Sequence, residues 1–294
     1  MGAILGTFSR NARSMALFSR PRARVPVFIE LCAGSAALSC ILTVNKRPPV
    51  SWMGCKVGWA DSILSEMGLL PEQGADRVVL VDPGPWGAVW DVLRTEAGRG
   101  EVIQHLTSWF DVEPEPFWLG LKKQLREKPL KQGDPVIRVA QWLYLFNWSV
   151  YARDAGGYCG PGKVTKGGNK PYYKRLPTLC NDIAALRFDT DISAFQCSAT
   201  EIPIPDSLPS GSVVYIDPPY LNTSGYLKGV DLQRDQAVNL ALAWHKTGAR
   251  VVVSEGEPMP IPGARVLDIT DQRIGIERVR ALHLREFLTI LDPR

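Results

Sequence analysis

The chain has 294 residues, 45% of them hydrophobic and 22% charged, with a formal net charge of +4. A mean hydropathy of −0.06 and the lack of any apolar run long enough for a bilayer exclude a helical membrane protein, and the mild charge permits a polyanionic partner without requiring one. Six cysteines without a C-x-x-C pair and three scattered histidines argue against a zinc site or a Ser-His-Asp triad, and predict a cytoplasmic protein with reduced thiols and no metal.

Residues 1–25 carry Arg10, Arg13, Arg20, Arg22 and Arg24 with no acid among them. They read as a disordered leader, with a basic arm along DNA phosphates or a transit-like peptide as alternatives. Val27–Leu31 is a short apolar strand. It runs into Cys32-Ala33-Gly34-Ser35-Ala36-Ala37-Leu38, a turn of small residues that opens a helix and lets a cofactor approach the backbone. The dinucleotide pattern G-x-G-x-x-G is not met there. Ser51-Trp52-Met53-Gly54-Cys55-Lys56 follows, then an amphipathic run from Ala60 to Met67. Arg77–Val81 reads as a strand ending in Asp82, and an acid in that position is the usual partner of ribose hydroxyls.

Pro85–Arg94 begins a helix, and Trp109–Pro116 is an acidic, proline-broken loop edge. Phe117–Lys128 and Val136–Tyr151 have helical period, Gly156–Lys174 is a glycine-rich basic loop, and Leu176–Leu186 is helical. Ile192–Ala199 is a strand. Ser212–Ile216 is a buried parallel strand, Asp231–Thr247 a helix and Arg250–Ser254 another buried strand. Ala264–Ile269 and Glu286–Leu291 supply the last two strands as an antiparallel pair. Strands alternate with helices at both ends around a helical, loop-rich middle, which predicts an α/β fold of the Rossmann-like kind.

The most informative residues are Asp217-Pro218-Pro219-Tyr220, directly after the strand at Ser212–Ile216. Two prolines fix φ and remove two N–H donors, so the carbonyls here can face a ligand. The set suits methylation of an exocyclic amine on a nucleobase. The lone pair of such an amine is delocalised into the ring. The Asp217 carboxylate and the Pro218 carbonyl, accepting its two hydrogens, would pull the nitrogen toward tetrahedral geometry, and the Tyr220 ring would stack on the base.

Together with the Glu30–Ala36 turn, the tetrapeptide resembles the first and fourth motifs of the Dam-type adenine-N6 DNA methyltransferases. The family's Glu-Pro-Phe-x-Gly-x-Gly stands here as Glu30-Leu31-Cys32-Ala33-Gly34-Ser35-Ala36. Trp52, Gly54 and Lys56 match its Trp-x-Gly-Gly-Lys segment, with Cys55 in place of one glycine. That segment comes after the first motif here rather than before it. Phe146-Asn147-Trp148 to Arg153, with Gly156–Lys163, loosely resembles the family's Phe-Asn-Gly-x-x-Arg region.

The resemblance implies a Rossmann-like methyltransferase sheet, residues 26–105 and 192–294, with an inserted, mainly helical target-recognition subdomain over 106–191. It implies S-adenosylmethionine held by Glu30, Cys32, Gly34, Ala36, Trp52, Gly54, Lys56 and Asp82, with Glu201, or equally Ser198 or Thr200, near the adenine. It implies double-stranded DNA as partner of a monomer, with Asn147 and Arg153 in the family-like region; the lysines and rings of the basic loop, Lys163, Lys166, Lys170, Tyr172 and Lys174, are the composition that contacts phosphates and unstacked bases. The expected activity is N6-adenine methylation of relaxed specificity in a bacterial or phage-infected cell, in a restriction-modification setting. A non-catalytic nucleic-acid binder on the same scaffold, and a cytosine-N4 or RNA methyltransferase, are the alternatives.

Overall fold

A computed structural model of the protein describes residues 23–45, 47–50, 54–127, 133–149, 156–161, 173–220, 232–274 and 285–293. Among the described residues seven strands make one sheet: β1 Val25–Leu31, β2 Ala75–Val81, β3 Asp191–Phe195, β4 Val213–Ile216, β5 Arg250–Glu255, β6 Arg265–Asp268 and β7 Phe287–Leu291. Their order is β3-β2-β1-β4-β5-β7-β6. The first five are parallel, and β7 runs antiparallel to both β5 and β6. The chain departs from β1 in both directions, so the order reverses between β1 and β4, and that is where open α/β sheets bind ligands.

The central strands are continuous runs of Val, Ile and Leu because both faces are covered. Phe28, Val78, Leu80 and Tyr215 pack on one face with α1 (Ala37–Leu42), α2 (Ala60–Glu66) and α3 (Pro85–Leu93). Ile29, Leu31, Val214, Ile216, Val251 and Val253 face the other way, against α8 (Arg234–His245) through Ala237, Leu240, Ala241 and Trp244.

Between β2 and β3 the chain forms α4 (Glu96–Ser108), α5 (Pro114–Glu127), α6 (Pro135–Asn147) and α7 (Leu176–Ala185). Asp134 starts α6 by accepting the N–H groups of Val136 and Ile137, with Pro135 in the first turn. Trp86 of α3 stacks on Phe146 of α6 at 5.3 Å, so the helical block shares one apolar core with the sheet. Residue 106, the expected boundary, lies within helix α4.

Arg24 also departs from expectation. The leader's last arginine is pinned to the amino ends of the strands. It pairs with Asp76 at 3.0 Å and Asp189 at 3.3 Å, and donates to Thr190 Oγ1 and the Ala75 carbonyl. The leader's first twenty-two residues lie outside the described ones. Among the described residues no helix is long and apolar enough to cross a membrane, and no three His, Cys, Asp or Glu side chains gather as a metal site would require.

Candidate active site

Register builds the site. Leu31 pairs with Val81 on one side and Ile216 on the other, so Cys32, Asp82 and Asp217 leave three adjacent strands at one level. Backbone bonds stitch that edge together. Asp217 N–H donates to the Leu31 carbonyl at 3.1 Å, Ala33 N–H to Val81 at 3.0 Å and Asp82 N–H to Phe195 at 3.1 Å.

The turn after β1 is held in an uncommon backbone. Cys32, Gly34 and Ala36 have φ of 57°, 49° and 50°. Position 36, glycine in the Dam-type pattern, therefore carries a side chain where glycine is favoured. Burial pushes the Cys32 thiol far up, and the neighbouring Asp82 and Asp217 charges add to it, so Cys32 stays neutral.

Two acids brace this turn from beneath. Glu30, buried on β1, accepts the backbone N–H of Ser39 at 3.0 Å and its hydroxyl at 2.5 Å. It caps the first turn of α1 from a neighbouring strand, where Ala36 has no side chain that could do so. Burial pushes its carboxyl up from 4.5 to about 7, against the pull of Ser39. Asp82 accepts Gly34 N–H at 2.9 Å through one oxygen and Gly84 N–H at 2.8 Å through the other. Burial raises it from 3.8 to about 6 against those two bonds. Asp82 thus fixes the turn, with the remaining lone pairs of its half-buried carboxylate open to a second partner. The indole of Trp90 on α3 ties the same turn from the side, donating to the Gly34 carbonyl at 3.2 Å.

On the other flank stands the tetrapeptide. Lys56, in a 3₁₀ turn over Lys56–Gly58, extends its ammonium to both oxygens of Asp217, at 2.6 and 2.8 Å. It also donates to the Gly54 carbonyl at 3.2 Å and lies 4.6 Å from the centre of the Tyr220 ring. Ser254 of β5 donates to Asp217 Oδ1 at 3.1 Å, and Ser254 and the Tyr215 hydroxyl are 2.7 Å apart. Tyr220 donates its hydroxyl to Glu286 Oε1 at 2.6 Å. Burial pulls the Lys56 pKa down, but Asp217 and Glu286 outweigh it and hold the ammonium charged. Burial lifts Asp217 above the usual carboxylate range even with Lys56 and Ser254 opposing. Glu286 is pushed from 4.5 to about 7, chiefly by burial.

The structure therefore gathers Glu30, Cys32, Gly34, Ala36, Gly54, Lys56 and Asp82 with Asp217, Pro218, Pro219 and Tyr220 along one edge of the sheet. Sequence reasoning missed Glu286, Ser254 and Ser39. No local signal marks them, since each is a polar residue in or beside an ordinary element. Glu201 turns inward on its own loop, where it accepts Ser198 N–H at 3.0 Å and Ser198 meets Thr200 at 2.9 Å.

Two of the residues expected to contact DNA have partners within the protein. Asn147 is buried, and its amide clamps one residue of the following segment. Nδ2 donates to the Lys174 carbonyl at 2.7 Å while Oδ1 accepts Lys174 N–H at 3.1 Å. The Lys174 ammonium is occupied too, by Asp182 at 2.5 Å and the Pro49 carbonyl at 2.6 Å. Both residues fasten the helical block. Trp52, Arg153, Lys163, Lys166, Lys170 and Tyr172 lie outside the described residues.

In comparison with known proteins, the chain matches no family model and no curated protein. The functional reading therefore stands on the motifs and on this geometry.

Proposed function

We propose that the protein transfers a methyl group from S-adenosylmethionine to the N6 amine of adenine in double-stranded DNA. The observation that carries the reading is the cation on Asp217. An ammonium nitrogen sits within hydrogen-bond distance of both carboxylate oxygens and over the Tyr220 ring, beside the point where the sheet order reverses. An exocyclic amine in its place would find the same acceptor and the same aromatic face. The reversed β7, inserted between β5 and β6, distinguishes this sheet from the dinucleotide-binding order 3-2-1-4-5-6.

The turn fits the cofactor. Ser35 Oγ is buried there with no hydrogen-bond partner, a group left for a polar ligand. Gly34, Ser35, Ala36 and Asp82 would hold S-adenosylmethionine, which supplies a methyl group on a sulfonium and leaves as a neutral thioether. Asp217 orients the amine by accepting its N–H, and takes the proton that the nitrogen loses as the new N–C bond forms. Its raised pKa makes it a better base than an exposed aspartate. Tyr220 stacks on the base, which must leave the duplex to reach this edge. Alignment of nitrogen, methyl and sulfur then supplies most of the acceleration.

The test is incubation of duplex DNA with cofactor and protein, followed by mass analysis of the nucleosides. N6-methyladenine should form with the natural protein and not with Asp217→Ala, which should still bind cofactor. Methylation confined to cytosine N4, or cofactor binding without any product, would overturn the assignment to adenine or to catalysis respectively.

A further inference from the structure

A target amine must compete for the Asp217 carboxylate as it stands, because Lys56 spans both of its oxygens and Ser254 also donates to Oδ1. The Lys56 side chain is only 5% exposed, so its ammonium cannot simply be released unpaired into the protein interior. A second carboxylate lies close by. Glu286 Oε1 is 4.0 Å from the same nitrogen, and its side chain is 2% exposed.

We propose that Glu286 is a positioning residue of this site, the second seat to which the Lys56 ammonium moves when a target amine takes its place on Asp217. The proposal rests on the amine-methylation reading above. A shift of about 1 Å would bring nitrogen and Glu286 to charge-assisted hydrogen-bond distance. Glu286 is anchored for the task. Its N–H donates to Thr270 Oγ1 at 3.0 Å, its carbonyl accepts Ile269 N–H at 2.9 Å, and its carboxylate holds the Tyr220 hydroxyl. A carboxylate oxygen already bonded to one hydroxyl retains lone pairs for an ammonium. The exchange keeps the Lys56 charge paired, now with Glu286, while the neutral amine gives Asp217 a hydrogen bond in place of the ion pair.

The groups facing Glu286 set a pH condition. They are Lys56 from the 3₁₀ turn, Asp217 and Tyr220 after β4, Ser254 from β5 and Thr270 before β7. Burial puts the carboxyl at about 7, so at lower pH it carries a proton and attracts the ammonium weakly. Turnover should therefore rise with pH through about 7.

Two experiments decide the matter. The first is the crystal structure of Asp217→Asn, which removes the charge that holds Lys56. The Lys56 nitrogen should be found within hydrogen-bond distance of Glu286. A nitrogen still on residue 217, or turned to solvent, overturns the proposal, and this readout needs no activity. The second is a double-mutant cycle on methyl transfer at saturating DNA. Glu286→Gln should lower kcat about tenfold, the kinetic equivalent of one lost charge-assisted bond, with KM little changed. It should also flatten the rise near neutral pH, while Glu286→Asp restores part of both. In a Lys56→Met background Glu286→Gln should cost nothing further. Equal losses in both backgrounds would mean that Glu286 acts through Tyr220 alone, and would sink the exchange. A natural protein that makes no methylated nucleoside removes the methyl-transfer reading, while the Asp217→Asn structure still decides whether Glu286 is the second seat.

Discussion

Glu30→Gln tests how the turn after β1 is supported. In the folded chain burial raises the Glu30 carboxyl from 4.5 to about 7. The folded state thus holds a proton that the unfolded state releases across that window, and stability falls as pH rises through it. Below 4.5 both states are protonated and nothing is lost; above about 7 the full penalty applies. That span, at about 1.4 kcal/mol per pH unit, sets an upper limit of about 3 kcal/mol on the penalty. Glutamine does not titrate. Its one carbonyl oxygen can accept both Ser39 donors, which share a single oxygen of Glu30. The stability difference between variant and parent should therefore move in the variant's favour, by at most about 3 kcal/mol, from pH 4.5 to pH 8. Glu286 at about 7 and Asp82 at about 6 titrate in both proteins and cancel in the comparison. Urea unfolding at a series of pH values, followed by tryptophan fluorescence, measures it. Glu30→Ala is the contrast: it strands the Ser39 N–H and hydroxyl and should cost about 1–3 kcal/mol at every pH. A Glu30→Gln variant whose deficit stays constant or grows toward pH 8 would show that the buried carboxylate acts as an anion, and would refute the reasoning.

Three further substitutions probe the frame around the site. Asp82→Asn leaves one acceptor oxygen for two backbone donors, Gly34 and Gly84, so it should lose about 1–3 kcal/mol of stability and weaken S-adenosylmethionine in calorimetric titration; unchanged cofactor affinity would free Asp82 of any role in that pocket. Gly87→Ala places a methyl 2.5 Å from the Asp82 carbonyl oxygen and 2.6 Å from that of Phe195. Both are backbone atoms that cannot step aside, so about 1–3 kcal/mol should be lost, read as a lower midpoint in urea. Asn147→Ala should cost about 1–3 kcal/mol in stability by unpairing the Lys174 backbone. Its DNA affinity per folded molecule should stay unchanged in a filter-binding titration, and a selective loss of affinity would restore Asn147 as a DNA contact.

Strands β2, β4, β6 and β7 were legible because their apolar runs stop at Asp, whereas β3 ends at Phe195, short of the expected Ala199. The reversal of β7 was half legible. Antiparallel pairing with β6 was expected, but the insertion of β7 beside β5 is a tertiary choice that no local pattern encodes. Helix α4 escaped notice since it is polar, contains Gly98 and Gly100, and buries only Gly98, Val102 and Leu106. Gly98 is required there by contact rather than by propensity, because a Cβ would meet the Val92 carbonyl at 2.2 Å. In the site, Asp217 and Lys56 were readable as chemistry, although 161 residues separate them. Glu286 was not, since an acid just before a strand is commonplace, and only the fold brings it to a tyrosine 66 residues away. The structural partners of Asn147 and Lys174 were hidden for the opposite reason. Composition marks them as polar and basic, but the direction of a side chain at a helix end depends on what packs there.

Four carboxylates with raised pKa meet along one sheet edge, and what holds each of them separates their roles. Perturbed acids cluster at functional sites and in structural networks alike, so the shift alone does not discriminate. Their partners do. Glu30 is tied to the amide and hydroxyl of Ser39, and Asp82 to the amides of Gly34 and Gly84. Those donors move only if a helix or turn moves with them, so these two acids brace the structure. Asp217 and Glu286 are held instead by the tips of Lys56 and Tyr220, side chains that can turn without disturbing the sheet. A carboxylate meant to receive a substrate needs a partner able to leave, and the partner needs somewhere to go. Asp217 meets the first condition and Glu286 supplies the second, which is why the working acceptor is read at Asp217 and not at the more deeply braced acids beside it.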